Sequence, residues 1–180
     1  MLEFNSLINR IKTVRPHEFD SLALQVFELQ YDHNEIYREW CTSLKKTPNT
    51  VQKLADIPFL PIEFFKSHQI KTGEWKAESV FESSGTTGIQ TSRHYVANEE
   101  FYWLNCVDAF ETRYGKLSEF VVLALLPSYL ERGNSGLISM VNHFIELSGS
   151  SDSGFYLNEF ELLYNKLRQL KAEGKKVILW

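Results

Sequence analysis

Phe120-Val121-Val122-Leu123-Ala124-Leu125-Leu126-Pro127 is the stretch that decides the fold. It is far shorter than the roughly 20 apolar residues a membrane-crossing helix needs. It also lacks the apolar–polar alternation of a strand with one wet face. A continuous apolar run of this length, closed by proline, fits a strand buried on both faces, as in parallel sheets covered by helices. The polar residues 128–135 beyond it form the kind of connector that builds binding sites past the strand ends of open α/β sheets. Downstream, Leu137, Met140, Val141 and Phe144 recur at helical spacing. Asn158 and Glu161 have capping-box spacing ahead of a second helical stripe, Phe160, Leu163, Leu167 and Leu170. Gly174 stops that helix, and Val177-Ile178-Leu179-Trp180 reads as another buried parallel strand. With nothing after it to complete the sheet, the expected fold is α/β, cut within a buried sheet and belonging to a larger domain.

Upstream of the decisive strand, Asn98 is a candidate N-cap, with Glu99 and Glu100 in the first turn where negative charge is favoured. Phe101, Leu104, Val107 and Ala109 are expected on that helix's buried side. Two short candidate strands, Ser79-Val80-Phe81 and Ser92-Arg93-His94-Tyr95-Val96, bracket Glu82-Ser83-Ser84-Gly85-Thr86-Thr87-Gly88. In this loop hydroxyls and successive N–H groups can converge on one anion, since glycine permits backbone angles closed to other residues. An ordinary Ser/Thr/Gly surface turn is the competing reading. The nucleotide triphosphatase loop is excluded, because Ile89-Gln90 follows Gly88 where Lys and Ser/Thr are required.

The first third reads as helical. Phe4, Leu7, Ile8 and Ile11 trace one helix, and Pro16 opens a second with Phe19, Leu22, Ala23, Val26 and Phe27. Asp32 and Glu35 have capping-box spacing for a third carrying Ile36, Trp40 and Leu44. Thr47-Pro48-Asn49-Thr50 breaks the pattern, and Ile57–Pro61 is a stiff apolar connector rather than a flexible linker. Lys66 and His68 are read either as the polar exit of a short helix or as catalytic groups. Residues 68–71 are expected to form a strand.

Ser83-Ser84-Gly85-Thr86-Thr87-Gly88 resembles the phosphate-loop signature of adenylate-forming enzymes, which activate a carboxylic acid with ATP. Asp56-Ile57-Pro58-Phe59-Leu60-Pro61, Phe65-Lys66-Ser67-His68 and Pro127-Ser128-Tyr129-Leu130-Glu131-Arg132-Gly133-Asn134-Ser135-Gly136 resemble the acyl-protein synthetase branch. That branch includes the long-chain-fatty-acid–protein ligases of bacterial luminescence. The resemblance runs from about Asp56 onward, and more loosely over the helical start. It implies a helical region, 1–55, packed on the same domain, and an incomplete α/β adenylation domain, 56–180. It also implies ATP, with magnesium in the whole enzyme, and a carboxylic acid such as a long-chain fatty acid that is passed to a protein cysteine. Ser83, Ser84, Gly85, Thr86, Thr87 and Gly88 would then contact the phosphates, and Ser84, Thr86 and Thr87 would act in catalysis. The chain departs from many relatives after the loop, having Ile89-Gln90-Thr91-Ser92-Arg93 in place of a proline and lysine. The magnesium ligand, the catalytic lysine and the acyl-accepting cysteine that the resemblance implies map to nothing here. A phenylacetate-type acyl-CoA ligase and a noncatalytic nucleotide-binding or interaction module stand as alternatives.

Composition narrows the rest. The 180 residues carry 19 Lys and Arg against 23 Asp and Glu, a net charge of −4 that offers nucleic acid no basic footprint. The two cysteines, Cys41 and Cys106, build no disulfide framework, sit in apolar stretches and are read as buried structural thiols. With no secretory signal pattern and no apolar span of membrane length, a cytoplasmic chain is expected. The five histidines are dispersed, no Cys/His metal cluster appears, and no Gly-x-Ser-x-Gly elbow supports a hydrolytic triad.

Overall fold

Arg15 is held extended, as the residue before a proline tends to be, and the chain then turns through Pro16–Glu18 into a long helix. The computed structural model describes residues 2–83, 91–126 and 133–180. These form two compact units, Met1–Trp75 and Lys76–Trp180.

The first unit is helical: α1 (Leu2–Lys12), α2 (Phe19–His33), α3 (Glu35–Ser43) and the single turn α4 (Phe64–Ser67). The spacing of Asp32 and Glu35 suggested Asp32 as the cap of α3. Asn34 takes that place instead, its side chain accepting the Tyr37 N–H at 3.1 Å, because α2 continues through Asp32 to His33. Phe27, Tyr37, Cys41 and Val51 make the core, with Leu24, Tyr31, Trp40, Ile57 and Leu60 packed against it. The proline-bearing connector is fastened there by two aromatic donors. Tyr37 Oη donates to the Pro58 carbonyl at 2.7 Å, and Trp40 Nε1 to that of Phe59 at 3.1 Å. Such bonds satisfy the polar ends of aromatic rings whose bodies are in the core. Residues 68–71 form no strand. Lys71 lies 4.5 Å over the Trp75 ring, and Gly73, at φ +81, donates its N–H to His33 O at 2.8 Å. These contacts close a turn around Gly73, and the residues before it do not extend into a paired strand.

The second unit opens with an antiparallel hairpin, β1 (Ser79–Glu82) and β2 (Arg93–Val96), in which Glu82 lies opposite Arg93. Then follow α5 (Glu99–Tyr114), β3 (Phe120–Ala124), α6 (Gly136–Ser148), β4 (Gly154–Phe155), α7 (Phe160–Ala172) and β5 (Lys176–Leu179). Asn98 caps α5 as its sequence suggests, accepting the Phe101 N–H at 2.6 Å. The expected buried side of α5 is partly corrected. Val107 packs inward together with Cys106 and Phe110, whereas Leu104 is exposed. At α7 the expected Asn158 capping box does not form: Glu159 holds the N-cap position without a side-chain cap, and Phe160 is exposed.

β3 is the centre of a three-stranded parallel sheet in the order β4-β3-β5. Val122 and Ala124 face a cluster with Val141 and Phe144 of α6, while Val121 and Leu123 face one with Leu163 and Leu170 of α7. Helices thus cover both faces, which is why this strand reads as an unbroken apolar run. Because the chain leaves β3 for one face and β4 for the other, their adjacent carboxyl ends form the switch point at which open α/β sheets bind ligands. The Val177–Trp180 segment is a parallel strand but not the buried one expected. β5 pairs with β3 and stands at the end of the described sheet, so Leu179 is exposed and no residue of the strand is fully buried. Trp180 N–H extends the pairing to Leu123 O at 2.9 Å. The result is a mixed α/β fold with an open sheet.

Candidate functional site

The sequence singled out two polar connectors, and the structure brings their roots together. β1 ends at Glu82, the residue that enters the Ser/Thr/Gly loop. The connector leaving the carboxyl end of β3 returns through Gly133, Asn134 and Ser135 into α6. Glu82 N–H donates to the Asn134 carbonyl at 2.8 Å, and Asn134 Nδ2 donates back to Glu82 Oε2 at 2.7 Å. Across the hairpin, Arg93 Nε lies 3.5 Å from Glu82 Oε1. One carboxylate therefore joins β1, β2 and the start of α6. Its charge is countered from one side by a guanidinium and from the other by an amide donor.

The neck of the loop is closed by two bonds between the same pair of serines. Ser83 N–H donates to Ser92 O at 3.1 Å, and Ser92 N–H donates to Ser83 Oγ at 3.0 Å. Ser83 is thus part of the loop's base, and its hydroxyl, accepting here, retains donor capacity. Ser84, Gly85, Thr86, Thr87 and Gly88 lie outside the described residues, as do residues 127–132. Below the neck, Phe81 packs on Tyr102 with ring centroids 5.0 Å apart, and Tyr102 Oη donates to Gly136 O at 2.9 Å. Burial, and next the neighbouring Cys106, push the Tyr102 hydroxyl up to about 12, so it stays a neutral donor. Gly136 fits tightly: a Cβ there would stand 3.1 Å from Phe81 Cδ2 and 3.3 Å from Tyr102 Oη. Ser135 caps α6 by accepting the Ile138 N–H.

Other candidates are placed plainly. Arg93, the last residue of the stretch that departs from the family pattern, is engaged with Glu82. His68 stacks on Phe64 at 5.2 Å and shares a 2.8 Å hydrogen bond with Ser67, which makes it the polar exit of α4. Burial pushes both cysteine thiols above their ordinary value, partly offset by the neighbouring hydroxyls of Tyr37 and Tyr102. Neither is an activated nucleophile. Among the described residues no His, Cys, Asp and Glu group is arranged to hold a metal ion, and no helix is long and apolar enough to cross a membrane. Sequence reasoning delivered Glu82 to the loop mouth but missed Asn134 as its partner. The one available signal was that Glu82 borders one motif-bearing segment and Asn134 lies within another.

The class the described fold defines is an open parallel α/β domain with a hairpin rooted beside the connector from its central strand. Residues 14–100 match the family described as acyl-protein synthetase, LuxE. Over those residues, just under half of its length, the chain is similar to the acyl-protein synthetases. The long-chain-fatty-acid–luciferin-component ligase of Photorhabdus luminescens is 37% identical over 71 residues. These make up 39% of this chain and 60% of that relative, so the match spans part of each protein. No solved structure matches the chain. The matched range holds Asp56–Pro61, Phe65–His68 and the whole Ser83–Gly88 loop, and stops before the Pro127–Gly136 connector.

Proposed function

We propose that the protein to which this chain belongs uses ATP to activate a fatty or other carboxylic acid as its acyl-adenylate, and passes the acyl group to a protein cysteine. The observation that carries this reading is the family match across the hairpin and its loop. The donors present suit a polyphosphate. Ser83, Ser84, Thr86 and Thr87 supply hydroxyls and the loop supplies N–H groups, while Glu82, the nearest described acid, is already countered by Arg93 and Asn134. When a carboxylate attacks the α-phosphate, charge grows on the phosphoryl oxygens, and donors already aimed at them lower the barrier. ATP supplies the leaving pyrophosphate. This chain's part is to bind and orient the phosphates through Ser83–Gly88, with Ser84, Thr86 and Thr87 as the acting side chains.

The test is acid-dependent exchange of pyrophosphate into ATP by the whole protein, with mass detection of acyl-adenylate and acylated protein. Exchange should appear on adding medium- or long-chain fatty acids. Its absence with every carboxylic acid tried overturns the reading, and transfer to coenzyme A in place of protein would reassign the acceptor.

A further inference from the structure

We infer that Glu82 and Asn134 are positioning residues, a reciprocal pair that sets the root of the Ser83–Gly88 loop against the connector leaving the central strand. This rests on the adenylation reading above and deepens it, because it assigns a role to two residues that bind no phosphate themselves. The first observation is the geometry. Two residues 52 positions apart exchange two hydrogen bonds, one through backbone N–H to carbonyl and one through side chains. A two-point contact fixes rotation as well as distance, where a single bond would leave a hinge. The second is place. Glu82 is the last residue of β1 and directly precedes Ser83, while Asn134 stands two residues before Gly136, the first residue of α6. Any shift between them displaces the loop root relative to the sheet's carboxyl edge.

The third observation is energetic. The Glu82 side chain is one-third exposed and that of Arg93 more than half, so the ion pair is solvent-screened. Exposed pairs contribute about 0–1 kcal/mol to stability. Phe81, Tyr102 and Gly136 already pack the hairpin onto α6 without the ion pair. A polar latch laid over an existing apolar contact adds little stability but restricts orientation, and orientation is what a loop of short donors needs to meet a phosphate.

The pair is testable because its members can trade chemistry without changing size. Glu82→Gln keeps length but loses the charge that faces Arg93. Asn134→Asp keeps length but sets a second carboxylate against Glu82. Combined, E82Q/N134D restores one amide-to-carboxylate hydrogen bond with donor and acceptor exchanged. In the whole protein, acid-dependent pyrophosphate exchange should fall about tenfold in kcat/KM for ATP in N134D and less in E82Q. The double variant should return to within about threefold of wild type, with all three melting close to it. Wild-type exchange in both single variants, or losses that simply multiply in the double variant, overturns the inference and leaves the adenylation reading standing. Absence of exchange in the unmodified protein overturns both.

Discussion

Two stretches of the second unit look alike in composition, and their described serines are tied to different parts of the fold. One is Ser83–Gly88, the other Ser148–Gly154; each is rich in serine and glycine. In the second, the hydroxyls are spent within the fold. Ser148 Oγ donates to Ile145 O at 2.7 Å and lies 2.8 Å from Ser153 Oγ, which accepts the Val122 N–H at 2.9 Å. Ser150 accepts from Asp152 N–H, and Lys166 binds the Asp152 carboxylate at 2.6 Å. β4 is only two residues long, so Ser153 completes the hydrogen bonding of the central strand where backbone runs out. At the first stretch, the described bonds involve only the neck, Ser83 and Ser92. A serine-rich loop wired to a strand is part of the core. At Ser83 and Ser92 the described serines instead tie the two strand ends of a hairpin together.

The contrast can be broken most forcefully at Ser153. Ser153→Ala (S153A) strands the N–H of fully buried Val122 and removes a partner of Ser148, a loss of about 1–3 kcal/mol. Urea unfolding should show it, while pyrophosphate exchange per folded molecule should stay near wild type. An S153A protein as stable as its parent would mean that water replaces the hydroxyl, and the loops would no longer differ in kind.

Thr86→Val (T86V) is the mirror experiment. Exchange should drop about tenfold, equivalent to about 1.4 kcal/mol of transition-state stabilisation, with unfolding unchanged. Gly85→Ala (G85A) should impair exchange as well, since alanine resists backbone angles open to glycine. Variants that stay folded and exchange at the wild-type rate would show that the Ser83–Gly88 loop is not the phosphate clamp.

Gly136→Ala (G136A) tests the packing under the neck. The added methyl must push the buried Phe81 ring or the Tyr102 hydroxyl aside, which should cost about 1 kcal/mol in thermal or urea unfolding. Unchanged stability would mean that the hairpin sits more loosely on α6 than its contacts indicate. The smallest effect belongs to Lys166. Its hydrogen bond to Asp152, the main cause, holds its ammonium above the ordinary value of 10.5. A raised folded value means that the stabilisation is complete below 10.5 and fades as pH climbs through the folded value. Lys166→Met (K166M) should therefore cost a little stability at neutral pH, where the pair is intact, and flatten the alkaline limb of a stability-versus-pH curve so that the two proteins converge there. A curve with the same alkaline slope would show that the pair is not formed in solution.

What the amino-acid sequence determined by itself was local or periodic. The Asn98 cap, the helical stripes of α2 and α6 and the Gly174 stop follow from interactions within a few residues, and the apolar runs of β3 and β5 are legible as runs although their pairing is not. The identity of Ser83–Gly88 as a donor-rich loop is legible too, because glycine and hydroxyl content are read directly from the chain. Local signals went astray where two positions offered the same chemistry. Asp32 and Asn34 both suit a cap, and the length of α2 chose Asn34; Phe160 sits on an apolar stripe whose inner face is taken by Leu163 and Leu170. Tertiary structure alone decided that Glu82 meets Asn134, that Ser153 serves Val122, and that Tyr37 and Trp40 hold the proline connector. The reason is physical. A helix or cap is satisfied by neighbours within one turn, whereas a polar atom left over at a strand end takes whichever partner packing brings near, and that partner's number is not written in the local pattern.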